Sequence, residues 1–462
     1  MATRNSHTDV AIVGAGITGL SAARAIKQSR PKTSVVVLEA ADRVGGKIAT
    51  IDADGVTIET GADSFLARDR VAVDLCDEIG LSDQLLAPEV FGAVIFAGGR
   101  LQRLPDGFVY GIPASLSALA RARVLTPWGR ARASVDLLLP GRATDDEPVG
   151  SFVRRRFGRE LLDKVVDPLL AGTRAGHIGQ MSLAASLPQI FEVARSSRSV
   201  IRGLRRATAA GSVDGGRPPF LTIAGGLSRL PESIAGSLDI RLNTRVTSIE
   251  RGSRYSVVTN NDTLEAQHVI VTTPAFVSAK LVASASERAS AALSTMTYAS
   301  VASVALIYDD LTFVPPPGTS GLLVPSSEQQ AIAGCTWYST KWPHTSPQGV
   351  SVLRCFVGRA GTHDLLHKDD GDIAAAVVND LERLLHVGST PRDVLITRWP
   401  DGLPQYAVGH LDAVSSVENA LAKDAPGVLV AGAGFRGSGI PDCIRQGRRA
   451  AQIATAALGR DA

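Results

Sequence analysis

The feature that most limits what this chain can become is Gly14-Ala15-Gly16-Ile17-Thr18-Gly19, a G-x-G-x-x-G run. It follows a β-branched apolar segment at 9–14. It opens a segment at 17–29 that carries Leu20, Ala23 and Ile26 at helical spacing. Val35-Val36-Val37-Leu38 then reads as a second buried strand, and strand, helix and strand together make a βαβ unit. In such a unit Gly14 permits the tight turn, Gly16 lets a pyrophosphate approach the backbone, and Gly19 lets the helix pack closely on the strand. The pyrophosphate sits at the helix N-terminus, where free N–H groups and the helix dipole favour negative charge. Glu39, twenty residues beyond Gly19 at the end of the second strand, is placed to accept hydrogen bonds from an adenosine ribose. The glycine spacing alone is a weak signal; its context carries the expectation of a bound dinucleotide.

The next residues select among dinucleotides. Ala40-Ala41-Asp42-Arg43-Val44-Gly45-Gly46-Lys47 brings a second diglycine close to the phosphate loop, and Arg43 adds charge. This E-x-x-x-R-x-G-G arrangement resembles the flavin amine oxidase superfamily and is much less expected in nicotinamide enzymes. Glu59-Thr60-Gly61-Ala62-Asp63-Ser64 then places another glycine turn near a flavin ring. Late in the chain Gly432, Gly434, Gly437 and Gly439 precede a helix over 442–458 with Pro441 at its start. A helix N-terminus at that place stabilises the negative charge of a reduced flavin ring.

With 462 residues, two or three structural units are expected. The apolar fraction of 45% and charged fraction of 20% are ordinary for a soluble globular chain. A net charge of +3 creates no global field for nucleic acid. Arginines concentrate between Arg100 and Arg159, including Arg121, Arg123, Arg130, Arg132, Arg142 and the triplet Arg154-Arg155-Arg156. A solvated face is the first reading of that run; a site for an acidic substrate or an anionic membrane is the sharper one. The four cysteines form no C-x-x-C pair and no Cys/His cluster of metal spacing, so they read as core residues in a reducing compartment, with no metal. Residues 1–8 show no signal-peptide pattern, and apolar runs stay short of the ~18 residues needed to span a bilayer. The expectation is a cytoplasmic protein, with peripheral membrane contact left open.

Further strands are expected at 240–250, 255–258, 264–272, 299–308, 351–357 and 427–431, and helices at 70–80 and 373–387. Residues 100–210 read as helical pieces ending at a Gly-Gly-Arg-Pro break at 215–218. The fold class is therefore α/β (α+β). A Rossmann-like FAD-binding domain is assembled from 8–98, 221–276 and 396–462. A mostly helical insertion on the substrate side takes 99–220, and a sheet-based substrate domain takes 277–395.

Several segments carry a closer likeness: 61–68 (Gly-Ala-Asp-Ser-Phe-Leu-Ala-Arg), Leu104-Pro105-Asp106-Gly107 with Gly111-Ile112-Pro113, and 166–172 (Val-Asp-Pro-Leu-Leu-Ala-Gly). To these add Gly225-Gly226-Leu227, Arg398-Trp399 with Pro404-Gln405-Tyr406 and Gly409-His410, and 437–444. On these the chain resembles the bacterial FAD-dependent porphyrinogen oxidases of haem biosynthesis along nearly its whole length. The resemblance implies FAD contacts from residues 14–19, Glu39, Ala40, Lys47 and 61–64, with Val246 near the adenine. It also implies that Trp399 and Ser438-Gly439-Ile440 lie by the flavin. The chain departs from the family's pattern at Thr173-Arg174, where hydrophobic and aromatic residues are common.

The family removes six hydrogens from a porphyrinogen, with dioxygen reoxidising the flavin to give hydrogen peroxide. A hydride passing from a meso carbon to flavin N5 is the expected step, the cofactor supplying the hard chemistry. No acid/base dyad is visible, so no catalytic residue is named. A carboxylate-edged macrocycle needs apolar walls and a few cations, and Arg68 and Arg70 are the leading propionate partners. Coproporphyrinogen III is favoured over protoporphyrinogen IX. Oligomeric state and a transient contact with the next haem-pathway enzyme stay open. His177 and His410 read as structural residues, and Cys443 as a packed thiol and not a covalent flavin anchor. An aromatic cage of Tyr406 with Phe435 is the weak alternative. The rival functions are another flavin oxidase, acting on amines or polyenes, and a flavin- or tetrapyrrole-binding protein without turnover.

Overall fold

The computed structural model describes residues 6–104, 106–139, 143, 145–211, 220–359 and 364–458. Pro105, Arg142 and the 215–218 break lie outside them. The first strand, Ser6–Val13, pairs in parallel with Val35–Leu38 on one side and with Thr263–Val271 on the other. Asp239–Arg241 extends the sheet beyond Val35–Leu38, and Val428–Val430 beyond Thr263–Val271, both in parallel. Five parallel strands thus come from three distant parts of the sequence. Val35–Leu38, Val428–Val430 and the C-terminal parts of Ser6–Val13 and Thr263–Val271 are rich in β-branched residues because helices cover both faces. Leu20, Ala23 and Ile26 of the helix Ile17–Ser29 pack on one face together with Ile444, Ala451 and Ala454 of the C-terminal helix Ile440–Leu458. Val282, Leu293, Val414 and Leu421 cover the other.

The strand expected at 240–250 is two strands. Asp239–Arg241 lies at one edge of the sheet, and Val246–Arg251 pairs antiparallel with Tyr255–Thr259 at the far side. The break is at Asn243, whose φ of 52° is left-handed and whose N–H donates to the Ala41 carbonyl at 2.9 Å. Asparagine tolerates that conformation better than most residues, a turn signal easily lost inside an alternating apolar pattern.

A second seven-stranded sheet runs in the order Asp393–Pro404, Tyr298–Tyr308, Ser351–Val357, Ile332–Trp337, Gly321–Leu323, Ala93–Ala97, Arg100–Arg103. All its pairs are antiparallel except Gly321–Leu323 with Ala93–Ala97. Val304, Leu306, Leu353 and Cys355 on one face pack against Ile373, Val377, Leu381 and Leu384 of the helix Asp370–Leu385. Ala305, Ile307 and Val352 on the other face pack on Val56 and Ile58, toward the cofactor segments. Asp393–Pro404 is an edge strand, which is why it accommodates Pro400 and Pro404.

Helices between Leu116 and Gly211 build a third core around Phe152, Phe157, Leu161 and Leu187. Arg154 and Arg155 are exposed as a solvated face requires, but the third arginine of the triplet departs from it. Arg156 is buried and pairs with the fully buried Asp136, Nη2 to Oδ1 at 2.7 Å. Arg132 donates to the carbonyls of Arg155 and Arg156 at 2.8 and 3.1 Å. These guanidiniums staple helices together, a use that a count of charges along the sequence does not show. All four cysteines are buried and free. Among the described residues, no helix is long and apolar enough to cross a membrane.

Candidate active site

The three motif glycines differ in what they answer to. A Cβ on Gly19 would sit 2.0 Å from the Gly14 carbonyl oxygen, so helix and turn could not close together with any larger residue. Gly14 has φ +103°, and a Cβ there would meet Thr272 Oγ1 at 2.8 Å. Gly16 has no such constraint: no protein atom lies within 4 Å of its Cβ position. The open side of Gly16 faces the start of the Ile17–Ser29 helix, and protein packing does not account for its being glycine. A pyrophosphate approaching that backbone does. The residues present therefore fit FAD.

Glu39 accepts from the Ala15 N–H at 2.7 Å through Oε2 and from the Ala41 N–H at 2.9 Å through Oε1. Its carboxylate ties the phosphate loop to the second strand and keeps lone pairs for ribose hydroxyls. Thr244 N–H donates to the Glu39 carbonyl at 2.8 Å, which carries Val246 to the same end of the sheet. Gly45 N–H donates to the Ala15 carbonyl at 2.9 Å, so both glycine turns stand side by side. Arg43 is exposed and donates to the Gly46 and Val44 carbonyls at 2.8 and 3.1 Å, bracing its own loop; Ala40 is exposed beside Glu39.

Lys47 opens on the cleft, its ammonium 5.9 Å from the centre of the Tyr298 ring. Surrounding protein lowers its pKa, and Cys443 partly opposes this. A Cβ on Gly434 would meet the Tyr298 hydroxyl at 2.5 Å, so Tyr298 joins the Lys47 loop to the late glycine-rich loop. The Ile17–Ser29 and Ile440–Leu458 helices touch so closely that a Cβ on Gly447 would lie 2.2 Å from the Thr18 carbonyl oxygen. The two ends of the chain thus meet at one place. Gln446 shapes the late loop, accepting from Arg436 N–H at 3.2 Å and donating to the Gly437 carbonyl at 3.0 Å. Ser438 and Gly439 are exposed at the helix start, and Ile440 is buried behind them.

The 60–64 segment is held from the second sheet. Trp399 Nε1 donates to the Thr60 carbonyl at 2.9 Å, and a Cβ on Gly61 would meet the Lys47 carbonyl oxygen at 2.0 Å. Ala62 is exposed, while the Asp63 carboxylate turns inward. It accepts from Lys341 Nζ at 2.7 Å, Trp342 Nε1 at 3.2 Å and the Ser64 hydroxyl at 2.7 Å. Burial alone would raise its pKa, but Lys341 and Arg354 overcome this and hold it well below the usual carboxylate range. Lys341, Trp342 and Arg354 were not legible as site residues: they lie in apolar or mixed segments nearly 280 positions or more from their partners.

Glu59 is buried and accepts from Leu227 N–H at 2.5 Å and the Thr50 hydroxyl at 2.9 Å. Burial raises its pKa to about 7. A carboxyl group raised in the folded state contributes stability that is complete at acid pH and is lost as pH climbs through the raised value. Glu59→Gln is therefore expected to flatten the fall in stability between about pH 4.5 and about pH 7. Urea unfolding of both proteins across that range measures it, and a variant as pH-sensitive as its parent excludes Glu59.

Tyr406 is buried, and its hydroxyl donates to the Ala433 carbonyl at 2.6 Å and accepts from Gly437 N–H at 3.2 Å. It stacks on His410, centroids 4.1 Å apart, and His410 Nε2 meets the Phe435 carbonyl at 2.7 Å. Phe435 itself is 2% exposed in the core, so the pair forms a brace for the late loop and not a cage. His410 acts structurally, its pKa lowered by burial, and Cys443 is a packed thiol pushed up to about 11 by burial. His177 is exposed. Arg68 is exposed, 3.5 Å from the Tyr110 hydroxyl, whereas Arg70 is taken by Asp74 at 2.7 Å and Asp77 at 3.6 Å on its own helix.

Comparison with known proteins agrees with this geometry. The model of the flavin containing amine oxidoreductase family matches residues 17–455. The chain is 36% identical to the coproporphyrinogen III oxidase of Bacillus subtilis, covering 96% of each chain. It is 32% identical to that of Staphylococcus aureus, covering 97% of this chain and 99% of the other. A solved structure from Exiguobacterium sp. 255-15, assigned as a protoporphyrinogen oxidase, superposes with a TM-score of 0.86 at 34% identity, covering 99% of this chain and all of the other. With a flavin nucleotide fold built from both ends of the sequence and a family match spanning nearly all of it, the chain belongs to the flavin containing amine oxidoreductase family, with FAD as its cofactor.

Proposed function

We propose that the chain oxidises coproporphyrinogen III to coproporphyrin III, a six-electron reaction with dioxygen as acceptor and hydrogen peroxide as co-product. The observation that carries this reading is the end-to-end match to coproporphyrinogen III oxidases, centred on a site where both glycine-rich loops meet. FAD, when bound, supplies the two-electron acceptor. Residues 14–19, Glu39, Ala40, Arg43, Gly46, Lys47 and Val246 would hold its nucleotide end. Residues 61–64, Trp399 and 438–440 would hold its ring end. Nothing in the site assigns a catalytic base. Protoporphyrinogen IX is the second reading, favoured by the Exiguobacterium neighbour. Supplying each porphyrinogen in air to the purified holoprotein and following porphyrin fluorescence tests both. No emission above the autoxidation blank with either would end the oxidase reading.

For substrate binding the reading keeps Arg68 and sets Arg70 aside, because Asp74 and Asp77 already neutralise Arg70. Losing one charge-assisted contact of about 1.5 kcal/mol corresponds to about a tenfold rise in KM. Arg68→Ala is expected to show that rise with kcat little changed, and an unchanged KM removes Arg68 from the site. The domain division is part of the same reading, with the first boundary drawn before Ala93 and the last after Pro404, because the strands Ala93–Ala97 and Asp393–Pro404 join the second sheet.

A cytoplasmic location with peripheral attachment to an anionic membrane fits Trp128, in the arginine-bearing helix Pro127–Ser134, and Leu138, in the turn after residues 135–137, 85% and 84% exposed. Co-sedimentation with anionic vesicles at low salt tests the attachment. Absence of the protein from the pellet rejects it.

A further inference from the structure

Arg354 stands in the middle of the second sheet on the face turned toward the cofactor segments. It is 1% exposed. Nε donates to the Ser303 hydroxyl at 2.9 Å, Nη2 donates to the Gly61 carbonyl, and the guanidinium lies over the Phe356 ring, 4.9 Å from its centre. Its hydrogen-bond partners are thus a neutral hydroxyl and a carbonyl, while its charge is also felt at Asp63 and Glu59. Asp63, the nearest anion on the same segment, is already bound by Lys341, Trp342 and Ser64. Glu59 is engaged by the Leu227 N–H and Thr50, and burial holds it toward its neutral form. Burying a charge in this way is costly, and the fold elsewhere pairs its buried arginine directly, as with Arg156 and Asp136. A cation placed so deep, with its hydrogen bond aimed at the backbone of one short segment, suits an electrostatic task at that segment.

We propose that Arg354 is a positioning residue for the flavin: it fixes the Gly61 carbonyl and keeps a positive charge behind residues 61–64 that favours the reduced, more negative cofactor. This rests on the reading that residues 61–64 meet the flavin ring. Ser303 aims the guanidinium, because it lies on the neighbouring strand and on the same face. Removing the charge makes the flavin harder to reduce, while removing a nearby anion makes it easier.

The test is the reduction potential of bound FAD in the full-length holoprotein, read by equilibration with a redox dye. Arg354→Gln keeps an amide donor toward Gly61 and loses the charge, whereas Arg354→Lys keeps the charge. The Gln variant is expected to shift the reduction equilibrium at least tenfold toward the oxidised form, which is 29.6 mV for a two-electron couple. The Lys variant is expected to stay within about threefold of the parent, short of half that shift. Equal potentials in the Gln and Lys variants overturn the proposal. Should the Gln variant not fold, Ser303→Ala, which removes the hydroxyl that aims the guanidinium, serves instead and must move the potential downward; an unchanged potential also overturns the proposal. Ala62→Trp separates the underlying reading: if that variant takes up FAD like the parent, residues 61–64 do not meet the flavin, whatever Arg354 does.

Discussion

Asp136→Ala is expected to lower the stability of the helical region by about 3–5 kcal/mol, the range for removing one partner of a buried ion pair. Both side chains are almost wholly enclosed, at 4% exposed for Arg156 and 0% for Asp136. The Asp136 carboxylate also accepts from the Ser199 hydroxyl at 2.8 Å and the Ile201 N–H at 3.0 Å. One residue therefore joins the segment at 135–137, the Val149–Phe157 helix and the start of the Val200–Gly211 helix. Taking it away leaves the buried Arg156 guanidinium with the Arg198 carbonyl but without its counter-ion. Denaturant unfolding should show an early transition that leaves FAD absorbance in place, because the helical core is separate from the core beneath the phosphate loop. Asp136→Leu combined with Arg156→Met should recover most of the loss, since a well-packed apolar pair can replace a buried ionic one. A single-variant cost below about 1 kcal/mol, the surface-pair range, would mean that the pair is solvated in solution.

Gly447→Val should abolish FAD uptake although residue 447 lies well outside the glycine-rich motifs. Its Cβ would stand 2.2 Å from the Thr18 carbonyl oxygen and 3.2 Å from the Ala22 nitrogen. Those are backbone atoms of a helix and cannot turn aside, so the two helices must separate. The displaced helix is the one whose N–H groups and dipole would receive the pyrophosphate on the proposed reading, and hydrogen bonds to it weaken steeply once geometry is lost. Overpacking of this kind adds about 1–3 kcal/mol of destabilisation. Flavin absorbance after incubation with excess FAD and desalting measures the effect. Gly388→Ala is the control, because no atom lies within 4 Å of that Cβ position. Full uptake by the Gly447 variant would show that the helix pair tolerates separation and is not what holds the nucleotide end.

The nucleotide half of the site could be read from one sequence because its signals are local. Gly14, Gly16, Gly19 and Glu39 lie within one βαβ unit, and the helix Ile17–Ser29 matches its apolar spacing to the residue. The groups that brace the ring half could not, because they come from far along the chain. Arg354 sits inside Ser-Val-Leu-Arg-Cys-Phe-Val, which reads only as a buried strand. Its contact with Gly61 spans 293 residues. Trp399 was visible as a motif, but its strand was not, since Pro400, Asp401 and Gly402 interrupt any alternation and only an edge position with a bulge accommodates them. Arg156 was visible only as one of many arginines, and nothing in its neighbours names Asp136 twenty positions away.

The scattered origin of the parallel sheet governs how the chain can be made. Ser6–Val13 leaves the ribosome early, yet its neighbour Thr263–Val271 follows about 250 residues later and Val428–Val430 later still. At roughly 5–20 residues synthesised per second, the first strand waits roughly 12–50 s with one apolar edge unpaired. An exposed edge of that kind recruits other strands. The waiting edge therefore has to be shielded until its partners are made, and the helix that closes the late glycine-rich loop, Ile440–Leu458, is the last element to emerge.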